Sequence, residues 1–147
     1  MMLGRRRTEA LLRIMLCAMF CTTAVACTER RTAGAPSGQL IVLTDATLAS
    51  GGTDTVRFGR LHQGETALRQ LSLRNDGTEP TIVVGHETTC GCVALEYERR
   101  PVKPGESLPV RMTFDSRGEY GWQMKLLTLR LGAKALPLKI YVEAEVE

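Results

Sequence analysis

Catalytic apparatus is nearly missing from this sequence. The 147 residues contain two histidines, His62 and His86, and no Gly-rich phosphate loop, nucleophile elbow or His-Glu-x-x-His pair. The common phosphoryl-transfer, acyl-transfer and zinc-hydrolase chemistries are thereby excluded, and the chain is expected to be non-enzymatic, with no small-molecule substrate. The whole chain carries a formal charge of +3, but from residue 27 on net charge is missing as well. Four of the nineteen Lys and Arg (Arg5, Arg6, Arg7, Arg13) and one of the sixteen acids (Glu9) precede residue 27, which leaves fifteen of each sign after it. A nucleic-acid partner needs a basic footprint, so none is expected. Cysteine is scarce where it would matter: Cys17, Cys21 and Cys27 fall in or at the end of an apolar N-terminal run, and only Cys90 and Cys92 lie beyond it. Two cysteines two residues apart staple nothing distant, so a disulfide framework of the small secreted kind is excluded.

What is present begins with an address. Residues 1–26 follow the order of an export signal: basic Arg5-Arg6-Arg7 with Arg13, an apolar stretch from Ile14 to Phe20, then small residues ending Ala24-Val25-Ala26. Ile14 to Ala26 is 13 residues, too short to span a bilayer, which takes about 20. Ala24-Val25-Ala26-Cys27 resembles a bacterial lipobox, with Ala24 standing where leucine is usual. Acylation of Cys27 would anchor the chain stably, because several acyl chains bury far more methylene than the single chain that binds reversibly. Ordinary cleavage after Ala26, or retention as a short anchor, are the competing readings. The expected location is exported and membrane-anchored, facing the periplasm or the cell surface, with the membrane as one partner through the lipid and an envelope protein as the other. Thr28 to Gly38 is polar, small and aperiodic, and reads as a tether.

The remainder alternates with a period of two. Leu40-Ile41-Val42-Leu43 is a candidate first strand, Ala49 to Asp54 a turn-rich break, and Val56 to Gly59 a brief strand. Thr66 to Asn75 sets Leu71 and Leu73 inward and Gln70, Ser72 and Arg74 outward; Leu68, of the wrong parity, predicts a bulge or an edge position there. Pro80 to Cys92 reads as extended; with Ile82 and Val84 inward, His86, Thr88, Cys90 and Cys92 follow them. Pro104-Gly105 fits the middle of a type II turn, ahead of inward Leu108, Val110, Met112 and Phe114. Pro109 lacks an N–H and predicts an edge strand there. Leu127, Leu129 and Leu131 alternate before a turn at 132–135, and Leu138, Ile140, Val142, Ala144 and Val146 form the cleanest face. Opposite them Glu143, Glu145 and Glu147 are expected to solvate the strand and discourage edge pairing. Trp122, near a loop, is read as core packing in preference to a carbohydrate platform. Six or seven strands with no helical period after residue 27 predict an all-β, immunoglobulin-like antiparallel β-sandwich of about seven strands. The expected organisation is a signal peptide over 1–26, a lipid-attached tether with a candidate first strand over 27–52, and the immunoglobulin-like domain over 53–147.

From about Val56 to Val146 the chain resembles the bacterial domain-of-unknown-function family 1573. Phe58-Gly59 and Gly64-Glu65 stand at its opening landmarks, Thr89-Cys90-Gly91-Cys92-Val93 at its central signature, and Pro104-Gly105-Glu106 and Thr113-Phe114-Asp115 at its later ones. The resemblance implies an exported or lipid-anchored protein of Gram-negative bacteria, an immunoglobulin-like fold related to major-sperm-protein-type domains, and no established activity.

Three readings of Cys90 and Cys92 remain open. In the first they are small packed side chains, with Gly91 permitting a bulge or a close backbone approach. In the second they are a redox pair, a labile disulfide for which an extended Cα separation of about 6.5–7 Å must shorten. In the third they hold Cu or Zn with His86 as a further ligand, although four extended residues separate His86 from Cys90 by about 13 Å. No cofactor is expected outside that third reading.

Overall fold

The computed structural model describes residues 38–132 and 135–147. The expected signal segment, Cys27, the stretch expected as a tether up to Ser37, and part of the turn at 132–135 lie outside the described residues.

Among the described residues, alternation builds eight strands. One four-stranded sheet runs β1 (Gln39–Leu43), β3 (Thr66–Asn75), β6 (Ser107–Asp115), β5 (Val93–Tyr97), and the other runs β2 (Gly52–Leu61), β8 (Leu138–Val146), β7 (Gly121–Leu131), β4 (Val83–Thr88). The two inner faces meet in one core, with Phe58 of β2 and Phe114 of β6 5.6 Å apart between ring centroids. In chain order β3, β6 and β5 occupy the B, E and D places of an immunoglobulin fold, and β4, β7 and β8 the C, F and G places.

The period-two faces hold where they were cleanest. Leu108, Val110, Met112 and Phe114 are buried, as are Leu127, Leu129 and Leu131, and every predicted inward residue of β8. The Lys103 to Glu106 turn closes with an N–H of Glu106 donating to the Lys103 carbonyl at 2.9 Å, and Gly105 takes a φ of 79°, as a type II turn requires.

Several expectations are corrected. The sheets are mixed: β1 joins β3 and β2 joins β8 in parallel, each at the edge of its sheet. Between those strands lies a short helix, α1 (Asp45–Ser50), in place of part of the expected break. Thr44 caps it, its hydroxyl accepting from the Thr47 N–H at 3.1 Å, and six residues are too few to display a helical period. An eighth strand, β5, is unmarked by the expected alternation, because the inward set changes parity at its start, from Cys90 and Cys92 to Val93 and Leu95. In β4 Val83 is buried and Val84 is half exposed, the reverse of the expected parity, and the register shifts between Val83 and Gly85. Of the two readings of Leu68 the edge position holds and the bulge does not: the β3–β6 register is unbroken, and Leu68 faces outward where β3 has no β1 beside it. Ser72, expected outward on an open face, is fully buried. Pro109 sits in β6, an interior strand, and is accommodated because pairing with β5 ends at Tyr97–Val110, one residue short of it. β8 is likewise interior, so its glutamates guard no edge; Glu143 instead pairs with Arg57 of β2 at 2.9 Å.

Candidate functional site

Residues 89–92 form the passage from β4 in one sheet to β5 in the other. Two clamps hold it. The Thr89 N–H donates to the Leu126 carbonyl and the Leu126 N–H donates to the Thr89 hydroxyl, both at 3.0 Å, which fixes the passage to β7. The Asp115 N–H donates to the Cys92 carbonyl at 2.8 Å, which fixes its other end to β6. The Thr88 hydroxyl donates to the Cys90 carbonyl at 2.7 Å and draws the chain into a turn. That turn brings the Cα atoms of Cys90 and Cys92 to 5.3 Å, within disulfide range, and the two sulfurs are bonded.

Gly91 departs from both roles expected of it. Its φ is not positive, it is exposed, and a Cβ built there would meet nothing within 4 Å. The glycine is therefore required neither by a bulge nor by a close approach. It leaves the apex of the turn open.

His86 does not join the sulfurs. Its Nδ1 lies 3.3 Å from the Tyr97 hydroxyl, and the two rings meet edge to face at 5.7 Å, so β4 and β5 touch across the open side of the sandwich. With the sulfurs bonded to each other there is no thiolate for a soft metal. Among the described residues no three His, Cys, Asp or Glu side chains gather as a metal site.

Residues 50–146 match the family described as Protein of unknown function (DUF1573). The chain belongs to this family. No curated protein matches it. Among solved structures it is similar to a protein of unknown function from Porphyromonas gingivalis W83, at TM-score 0.56 and 21% identity over 78% of this chain and 51% of that one. It is also similar to the VesB protease of Vibrio cholerae, at TM-score 0.51 and 11% identity over 63% of this chain and 30% of that one. The chain thus spans about half of the first structure and less than a third of the second, and at these identities the likeness is one of fold.

The stretches that carry the resemblance outside the cysteine turn are structural devices. At Phe58-Gly59 β2 bulges: Gly59 takes a φ of 81°, and Gly59 and Arg60 both face outward between inward Phe58 and Leu61. Arg69 of β3 donates to the Arg57 and Phe58 carbonyls at 3.1 and 2.8 Å and lies 5.6 Å over the Phe58 ring, tying the bulge to the other sheet. At Gly64-Glu65 the Glu65 carboxylate accepts from the His62 N–H at 3.0 Å. Asn75 and the Pro104-Gly105-Glu106 turn hold one another: the Asn75 N–H donates to the Glu106 carbonyl and the Gly105 N–H donates to the Asn75 carbonyl.

Sequence reasoning placed Trp122 in the core, and that is corrected. Its side chain stands outside the sheet, 61% exposed. The parity of β7 held the signal: with Leu127, Leu129 and Leu131 inward, Trp122 and Met124 fall on the other face.

Proposed function

We propose that this DUF1573 chain is a non-enzymatic, lipid-anchored module of the cell envelope with a structural or protein-binding role. The observation that carries the reading is the closed Cys90–Cys92 disulfide, which suits an oxidising, extracytoplasmic compartment, the same address as the export signal and the lipobox-like Cys27. It is supported by the use made of each polar group at the turn. Both sulfurs are bonded, Thr88 and Thr89 serve the backbone, and His86 lies against Tyr97, so the groups hold one another. The test is fractionation of the full chain. Wild type is expected with membranes and Cys27→Ser in the soluble fraction; identical fractionation of the two removes the anchor from the reading.

A thiol-redox role for the same pair is the second reading, favoured by the open apex at Gly91. In it the disulfide takes two electrons and two protons from a dithiol, leaving Cys90 and Cys92 as thiols and the donor as a disulfide. Equilibration in thiol buffers separates the two. A midpoint below about −300 mV marks a structural bond, and one above about −220 mV marks an exchanging one.

A further inference from the structure

The outer face of the β2–β8–β7 sheet carries a groove of about 210 Å³ lined by Arg57, Gly59, Arg60, Trp122, Glu143 and Glu145. Its construction follows from the register. Arg60, Glu145 and Trp122 stand in one row across the three strands, and Arg57, Glu143 and Met124 in the next. Gly59, outward at the bulge, contributes no side chain, and a Cβ there would meet nothing within 4 Å. The missing side chain is the opening of the groove, and the exposed indole is its wall.

The hydrogen-bonding state of the lining is uneven. Arg57 and Glu143 are paired at 2.9 Å. The Arg60 guanidinium, the Glu145 carboxylate and the Trp122 indole N–H make no hydrogen bond or ion pair among the described residues. Donors and an acceptor are thus left around one flat apolar surface, and the two guanidinium groups cancel the two carboxylates.

We propose that this groove binds a neutral sugar ring, its apolar face against the Trp122 indole and its hydroxyls shared between the Glu145 carboxylate and the Arg60 guanidinium. A pyranose has the required make-up: one side of C–H groups, a rim of hydroxyls that both donate and accept, and no charge. The groove lies below the roughly 300–1,000 Å³ of drug-sized ligand sites, so it takes one ring of a chain and not a large cofactor. A protein partner fits less well: Trp and Arg are at home in such interfaces, but glutamate is depleted there, and two glutamates line this groove. A strongly charged ligand finds no net field to hold it.

The chain holds a single tryptophan, so its emission reports on this groove alone. The full chain, in a detergent without a sugar headgroup, is titrated with cellotriose and with the N-acetylglucosamine trimer, and separately with a short basic peptide. A saturating change in emission with at least one sugar is expected, with a Kd on the order of 1 mM. Glu145→Gln, an exposed substitution that leaves the melting curve unchanged, is expected to weaken it about tenfold, the loss of one charge-assisted hydrogen bond. Calorimetry with Trp122→Ala is expected to show no binding. No emission change with either sugar at about 10 mM overturns the proposal, and so does a change with the peptide alone. The proposal is independent of the anchor: Cys27→Ser protein gives the same titration whichever way it fractionates.

Discussion

Asn75, fully buried at the end of β3, serves five backbone groups. Its amide donates to the carbonyls of Glu79 and Val102 at 2.8 and 2.9 Å, its side-chain oxygen accepts from the Gly77 N–H, and its own N–H and carbonyl engage the Glu106 turn. Aspartate is nearly the same shape but cannot donate to two carbonyls. Asn75→Asp is therefore expected to destabilise as severely as Asn75→Ala, by about 3 kcal/mol in a urea melt, since each orphaned buried group costs about 1–3 kcal/mol. Ser72 is the opposite case. Its hydroxyl is buried without a partner among the described residues, so Ser72→Ala is expected to leave the urea midpoint unchanged or raise it. Asp115 adds a pH dependence. Hydrogen bonds from the Arg117 side chain and backbone hold its carboxyl below the ordinary range. A depressed folded value means stability that is present above the unfolded value of about 3.9 and lost as pH falls through the folded one. Melts between pH 6 and pH 2 are expected to show a shallower acid loss for Asp115→Asn than for wild type.

At the level of the element, two glycines that look alike in sequence behave differently. Gly59, at a φ of 81° in the β2 bulge, is expected to cost on the order of 1–2 kcal/mol when replaced by alanine. Gly91→Ala is expected to fall within about 0.5 kcal/mol of wild type, as for an unconstrained surface site. The disulfide closes a loop of three residues, for which chain entropy gives at most about 1.6 kcal/mol. Reduction is accordingly expected to lower Tm by less than about 10 °C, and a larger fall would assign the bond a global structural role. The sequence was legible here in proportion to the regularity of each strand. β8 and β6 alternate without interruption, and their inward faces could be read residue by residue. β2 and β4 contain register shifts, and a bulge sets the residues on its two sides at opposite parities, so no single alternation places both Val83 and His86 inward. The Cys90–Cys92 bond was open among three readings because extended geometry separates the two Cα atoms too far. Only the turn made by Thr88 and Thr89 brings them together, and its hydrogen-bond partners lie on β7 and β6, remote in sequence.

For the molecule as a whole, an all-β sandwich was readable from period and spacing, while its mixed sheets were not. Whether a strand adds in parallel or antiparallel leaves no mark on its alternation. The pairing of β2 with β8 has a consequence in time. β2 is an edge strand whose one neighbour in its sheet is β8, and the nine residues of β8 come at the far end of the chain. Emerging from a ribosome or threading through a membrane pore, residues 52–61 must wait, unpaired, for residues 138–146. Refolding is expected on the millisecond-to-second scale of strand pairings remote in sequence, readable by stopped-flow. In a chain translocated end first, β2 would thus stay unpaired until β8 is through, and that edge of its sheet would close only once β8 has arrived.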